Sequence, residues 1–575
     1  MKYTVEGNNP HQQFFRITYE CEVQEDHIVL TFPNWRPGRY QLGNFTKNIR
    51  DFKVLGDDNK ACDFEKIELN RWKIDTSNTR NITVSYLYYA QELNAGSTFL
   101  SNEMWYMNPV NCCIYNEEKI DQPCTLELKN LPKDFEIASS AQFKNYQADF
   151  RSYHHLADTP FIASASLQHQ KYVSNGINFH IWINGSLKVD WDRLIDDFQK
   201  FTDHQIQEFT EFPGKEFHFL IHILPYSTYH GVEHLESTVI TLGPTYQIFK
   251  DLYKELLGVS SHELYHCWNV KTIRPKEWMP YNYAIETPSR MGYLAEGVTT
   301  YMGDLELMRS KVFDFEQYKA ELETQINKHL HNYGRFNHAV SDSSYDTWLD
   351  GYELGIPHRK VSIYTEGCLL AFYTDVWIMK KTDNKKGLQE VMRRLNFDFG
   401  TKGIGVTEED YKKTIESVAE SDFTEIWEQY FYGTGSYEVL ITEALDYLGI
   451  EIEQQPNKSW VKRHLGILGI DNKSHFKCKR IAPGSRADLA GVSEDDEIIA
   501  INGFKINGDL EQWLEYFQDD EIQLQISRKS QIIQLTCPHI DKPYYSEAKL
   551  KRCEKPDKNQ EIAFGRWTRL TKNYM

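Results

Sequence analysis

Two histidines one helical turn apart, with a glutamate beside the first, open the chemical reading of this chain. His262-Glu263-Leu264-Tyr265-His266 puts imidazoles at i and i+4, which on a helix share a face and reach one ion. Catalytic zinc takes three protein ligands and keeps a fourth position for water, so a third ligand is needed. Glu296, in Leu294-Ala295-Glu296-Gly297-Val298-Thr299-Thr300-Tyr301, is the best candidate. It flanks an apolar stripe of Leu294, Val298, Tyr301, Leu305 and Met308. An unpaired carboxylate there would be costly, and a metal would satisfy it. The competing readings are a surface helix with two solvated histidines, and a Glu296 paired with Arg or Lys. Leu256, Leu257, Val259, Leu264 and Trp268 surround the motif and argue for burial, where histidines need partners. One Zn²⁺ held by His262, His266 and Glu296 would lower the pKa of its water toward ~7, with Glu263 as general base.

The elements that must position these groups follow from periodicity. Thr287 is expected to N-cap the helix carrying Glu296, with Pro288 at its first position. Residues 1–170 read as a β domain, with short β-branched and aromatic runs separated by turns such as Pro37-Gly38. Residues 171–445 read as the catalytic block: strands near 177–183 and 216–224, a helix over 190–209, then mostly helix from 246. Residues 456–540 form a small β module with one helix near 509–517, and 541–575 are a polar tail with no firm structure. The fold class expected is multidomain α+β.

Composition narrows the partners. At 575 residues the chain is too long for one core. Its net charge of −19 argues against nucleic acid, and no run of eighteen apolar residues offers a membrane span. Without an apolar leader or a CxxC pair, the protein is read as cytoplasmic with free thiols, Cys112 and Cys113 included.

Several motifs, in order along nearly the whole chain, resemble the glycyl aminopeptidase family of PDZ-bearing HExxH zinc metallopeptidases (gluzincin type). Asn34-Trp35-Arg36-Pro37-Gly38-Arg39-Tyr40 looks like its W-x-P-G-x-Y turn. His262 to Lys271, followed by Ile273-Arg274-Pro275, resembles its extended helix-and-exit motif, and Glu296-Gly297-Val298-Thr299-Thr300-Tyr301 its EG-x-T-x-Y pattern. The resemblance implies a thermolysin-like, mostly helical catalytic domain between the β domain and a C-terminal PDZ domain. His230-Gly231-Val232-Glu233-His234 is similar to the G-G-L-E-H segment, which implies that Glu233 binds the substrate's free α-amine beside Gly231 and His230. Ile363-Tyr364-Thr365-Glu366-Gly367-Cys368-Leu369 resembles Y-x-K-G-x-L and implies that Tyr364 donates to the oxyanion. Two departures stand out: His230 replaces the family's first glycine, and Glu366 replaces its lysine.

The resemblance thus implies a zinc aminopeptidase cleaving the first bond of peptides with a free N-terminus, with small residues such as Gly or Ala preferred. The alternatives are a zinc endopeptidase and a non-catalytic PDZ-containing binding protein. Leu465-Gly466-Ile467 is a weak carboxylate-binding loop through which the PDZ module would take a peptide C-terminus.

Overall fold

The computed structural model describes residues 1–352 and 355–570. The N-terminal part is built on a six-stranded sheet ordered Gln147–Phe150, Cys124–Lys129, Lys2–Glu6, Phe14–Glu22, Asn81–Tyr89 and Ile49–Leu55. Alternation fixes its faces: in Phe14–Glu22, Phe15, Ile17, Tyr19 and Cys21 point inward while their neighbours are wetter. Smaller three- and four-stranded sheets complete this part. Its apolar core does not stop at the domain edge. Trp35 and Tyr40 pack with Trp278, Tyr281, Tyr283, Ala295 and Ile363 from the middle of the chain.

The middle part opens with a five-stranded sheet ordered Gln168–Ser174, Ile177–Asn184, Glu216–Ile223, Ser237–Gly243, Thr228–Glu233. Ser237–Gly243 is buried throughout and parallel to Glu216–Ile223, as expected of a strand covered on both faces. Thr228–Glu233 hangs antiparallel on its free side and forms the sheet edge. The helix Tyr253–Tyr265 packs against this edge, Thr299–Arg309 packs on that helix, and Ile363–Lys381 packs on Thr299–Arg309 and the turn before it. Among the described residues no helix is long and apolar enough to cross a membrane.

The start of the Glu296 helix differs from the cap expected at Thr287 and Pro288. Residues 286–289 are irregular and a π-helical turn begins only at Tyr293, running Tyr293–Val298 into Thr299–Arg309. Tertiary bonds hold the earlier residues out of the helix. Trp278 Nε1 donates to Thr287 O at 2.7 Å, and Ser289 Oγ donates to Glu277 Oε2 at 3.0 Å.

The PDZ module has its own core around Ile467, Ile498, Leu514, Leu524 and Ile526. Its sheet runs Ile467–Asp471, Phe476–Ile481, Glu497–Ile501, Ile522–Arg528, Gln531–Cys537. Gly466 (φ +73°) is required at the loop entering it, because a Cβ there would lie 2.4 Å from Ser485 Cβ and 3.3 Å from the Tyr544 ring.

The stretch from 541, for which the sequence suggested no firm structure, is ordered through residue 570. Glu547–Arg552 pairs antiparallel with Ile450–Gln455. The helix Lys558–Thr568 returns to the catalytic core, where buried Trp567 donates to Tyr301 Oη at 2.9 Å. Residues 571–575 lie outside the described residues.

Candidate active site

The helix Tyr253–Tyr265 ends at His266, so both motif histidines occupy its last turn, facing the Glu296 turn. His262 Nε2 and His266 Nε2 stand 3.0 Å apart, and Glu296 Oε2 lies 3.7 Å and 3.4 Å from them. His266 Nδ1 donates to Asn269 O at 2.7 Å, so the ring in its neutral, cation-binding form presents the lone pair of Nε2. Asn269 in turn donates to Leu294 O and Thr299 Oγ1, at 2.8 and 3.0 Å, tying the end of one helix to the turn that carries Glu296. Glu296 is held on its other oxygen by Tyr40 Oη at 2.5 Å.

Two imidazole nitrogens and a carboxylate oxygen, pressed this close in a buried place, need positive charge between them. The electrostatics agree. Burial pushes the His266 imidazole down, yet Glu296, Glu233 and Glu263 more than offset it and raise it to about 10. The donor set of two neutral ring nitrogens and one carboxylate fits a divalent cation of intermediate softness.

Glu263 and Glu233 each bring a carboxylate oxygen within 4.8 Å of a His266 ring nitrogen and of each other. Burial, with Glu233 and Glu296 adding, holds the Glu263 carboxyl well above the usual range. Its Oε2 has no partner among the described residues. Two glycines make the approach feasible. A Cβ on Gly231 would meet Glu263 Oε1 at 2.1 Å, and one on Gly38 (φ +80°) would meet Glu233 Oε2 at 2.3 Å.

All of these groups line one cavity of about 800 Å³, together with His230 and Tyr364. Burial and the nearby Glu296 keep the Tyr364 phenol well above its usual pKa, so it remains a donor at neutral pH. Its helix is held by backbone contact: a Cβ on Gly297 would fall 2.3 Å from Gly367 Cα. Glu366, where the family has lysine, forms a buried pair with His329 Nδ1 at 2.7 Å.

The family comparison can now be read against this geometry. Residues 2–165 match the Peptidase M61 N-terminal domain, 255–370 match M61 glycyl aminopeptidase, and 439–537 match the PDZ domain. The chain belongs to the M61 peptidases. Among solved structures, this M61 chain is similar to an aminopeptidase N family protein from Idiomarina loihiensis. That match has a TM-score of 0.90 and 24% identity, covering 98% of this chain and 99% of that one. A variant of an M1 zinc metallopeptidase from Deinococcus radiodurans gives 0.47 and 11%, covering 76% and 94%. Comparison with curated protein sequences found no match.

Sequence reasoning about this M61 peptidase missed the supports that the N-terminal part places behind the cavity's lining. Tyr40 reaches Glu296, and Arg36 reaches His230, because the Trp35 to Tyr40 turn projects into the catalytic part. The family-like turn was the available signal, and it marks a turn without saying what the turn touches. A second His/Glu group, His180, Glu216 and His218, lies on the other side of the sheet. Trp182 Nε1 donates to His218 Nδ1 at 3.1 Å there.

Proposed function

We propose that this M61 peptidase is a zinc-dependent aminopeptidase hydrolysing the first bond of peptides with a free N-terminus. The carrying observation is the convergence, at a sheet edge, of the His262, His266 and Glu296 donor atoms with the Glu263 and Glu233 carboxylates in one cavity. His262, His266 and Glu296 would hold one Zn²⁺, which when bound polarises the scissile carbonyl and acidifies the attacking water.

The chain's own residues supply the rest. Glu263, with an oxygen free of protein partners, takes the proton of the attacking water and returns it to the leaving amine. Burial raises its carboxyl above the usual range, the direction that helps it hold the proton it has taken. Tyr364 donates to the oxyanion, an interaction that strengthens as charge develops. The peptide adds along the edge strand Thr228–Glu233, with its ammonium on Glu233, whose Oε1 lacks a protein partner. Trp35, Tyr40, Trp278 and Tyr281 crowd the far side of Glu233 and leave no room there even for a water molecule. That supports a preference for a small first residue such as Gly or Ala.

The test is hydrolysis of glycyl and alanyl chromogenic amides beside their N-acetylated forms, with purified protein and stoichiometric Zn²⁺. Cleavage of the free-amine substrates alone is expected. Equal cleavage of blocked substrates would mean an endopeptidase, and no cleavage of either would favour a binding protein.

A further inference from the structure

Three cationic or proton-donating side chains without a role in the hydrolysis lie together beside the cavity: His230 lines it, Arg36 bonds to His230, and Arg39 is close enough to act on the imidazole by charge. Arg36 and Arg39 come from the N-terminal turn, and His230 comes from the edge strand. In the family patterns the two arginines fall at unspecified positions, and His230 stands where glycine is usual.

Arg36 is 4% exposed and packs against Gly96, where a Cβ would meet its Cζ at 2.1 Å. It donates to Pro37 O at 3.2 Å and to His230 Nε2 at 3.4 Å. Neither Arg36 nor Arg39 has a carboxylate within 4.0 Å among the described residues; Arg39 donates Nε and Nη2 to the neutral side-chain oxygen of Gln41, both at 2.8 Å, and Glu233 influences Arg36 only from farther off. A guanidinium keeps its proton in proteins, so Arg36 is a buried charge without an ion pair, an arrangement costly enough to need compensation. Because arginine only donates, His230 Nε2 is the acceptor and the ring proton sits on Nδ1. No protein partner for that N–H is found among the described residues, and His230 lines the cavity. Arg39 faces the ring of Tyr352, another lining residue, 5.3 Å from its centroid.

Strand polarity puts this corner on the substrate's path. A peptide anchored at Glu233 and antiparallel to Thr228–Glu233 runs back past His230. At roughly 3.3 Å per residue, three strand positions span about 10 Å, the reach of a first and second residue together with the hydrogen bonds at their two ends. The peptide residue opposite His230 projects its side chain to the same face as the imidazole.

We propose that His230, Arg36 and Arg39 form a carboxylate-recognising subsite selecting peptides with negative charge just beyond the scissile bond. The carboxylate is either an acidic side chain on the second residue or the free terminus of a dipeptide. His230 Nδ1–H donates to it, and the two guanidinium groups supply the opposing charge. Burial together with Arg36 and Arg39 holds the imidazole down to about 3, so this donor does not change with pH near neutrality. The register rests on the aminopeptidase reading; the charge preference does not.

The test uses the zinc-loaded full chain with alanyl-aspartyl amide, free alanyl-alanine and alanyl-alanine amide, measured by calorimetric binding and by kcat/KM. A charge-assisted hydrogen bond predicts a preference of about tenfold or more for one or both carboxylate-bearing peptides. That preference should fall to about one in His230→Gly and in Arg39→Gln, with Arg36→Met as a third variant. Preference for the aspartyl amide alone identifies the side chain as the ligand; preference for the free dipeptide alone identifies the terminus. Equal binding of all three peptides, or a preference that survives both His230→Gly and Arg39→Gln, overturns the subsite. Selective binding without cleavage would sink the aminopeptidase reading and leave the subsite standing.

Discussion

Two histidine–glutamate groups of nearly the same composition sit on opposite sides of the same sheet, and they are wired differently. In His262, His266 and Glu296, the second ring nitrogen of His266 donates to a backbone carbonyl, so a lone pair faces Glu296. In His180, Glu216 and His218, Trp182 donates to His218 Nδ1, so the proton of the neutral ring sits on Nε2, which lies 3.5 Å from Glu216 Oε1 without forming a hydrogen bond to it. With its rings neutral, the first group offers electron pairs; in the second, His218 Nε2 carries the ring proton and has no lone pair to give. The atom behind the imidazole, more than the ligand types, decides which group can hold a cation.

That contrast gives the largest expected effect. Glu296→Gln should lose bound zinc and activity together by metal analysis and peptide turnover, whereas Glu216→Gln should leave one equivalent in place. Equal metal loss in the two variants would erase the distinction. Next in size, Glu263→Gln should keep its zinc while turnover falls by on the order of 10²–10⁴. An active, metal-loaded variant would remove Glu263 from proton transfer. Tyr364→Phe should raise the barrier by ~2–4 kcal/mol without altering metal content. Tyr40→Phe, which removes the bond behind Glu296, should weaken zinc affinity about 10–100-fold in a chelator competition.

A third pair extends the comparison to pH. His329 is drawn up to about 9 by Glu366 and Glu438 despite its burial, so it is an imidazolium at neutral pH. Its folded value exceeds the unfolded ~6.5, so its contribution is complete below that pH and disappears as pH rises through about 9. The difference in melting temperature between wild type and His329→Gln should therefore shrink from about pH 6 to about pH 9.5. A difference that grew with pH would reverse the assignment of charge.

Much of this centre was legible from local spacing. The i, i+4 histidines needed only helix geometry, and Glu296 followed from a carboxylate flanking an apolar stripe. What escaped was tertiary. Tyr40 stands 256 positions from Glu296, and no periodicity links them. The expected helix start at Thr287 gave way to bonds from Trp278 and Glu277, which outweigh a local cap worth ~1 kcal/mol. The segment beyond 541 looked unstructured because its helix buries only a few residues, Trp567 among them, and their receiving surface lies elsewhere in the chain. The PDZ-like order of glycines and apolar runs was legible because a small module closes its own core.

The return of Trp567 to the helix carrying Glu296 bears on how the molecule is made. Because Ile450–Gln455 and Glu547–Arg552 are paired neighbours, the PDZ module is an insertion between two strands of the catalytic body. On a ribosome, the histidines and Glu296 emerge before the PDZ module, but the residue that packs behind Tyr301 emerges after it. The support of the metal-binding core is thus completed only after the PDZ module has been made, so a nascent chain carries its hydrolytic residues through about 270 further residues of synthesis before that support is in place.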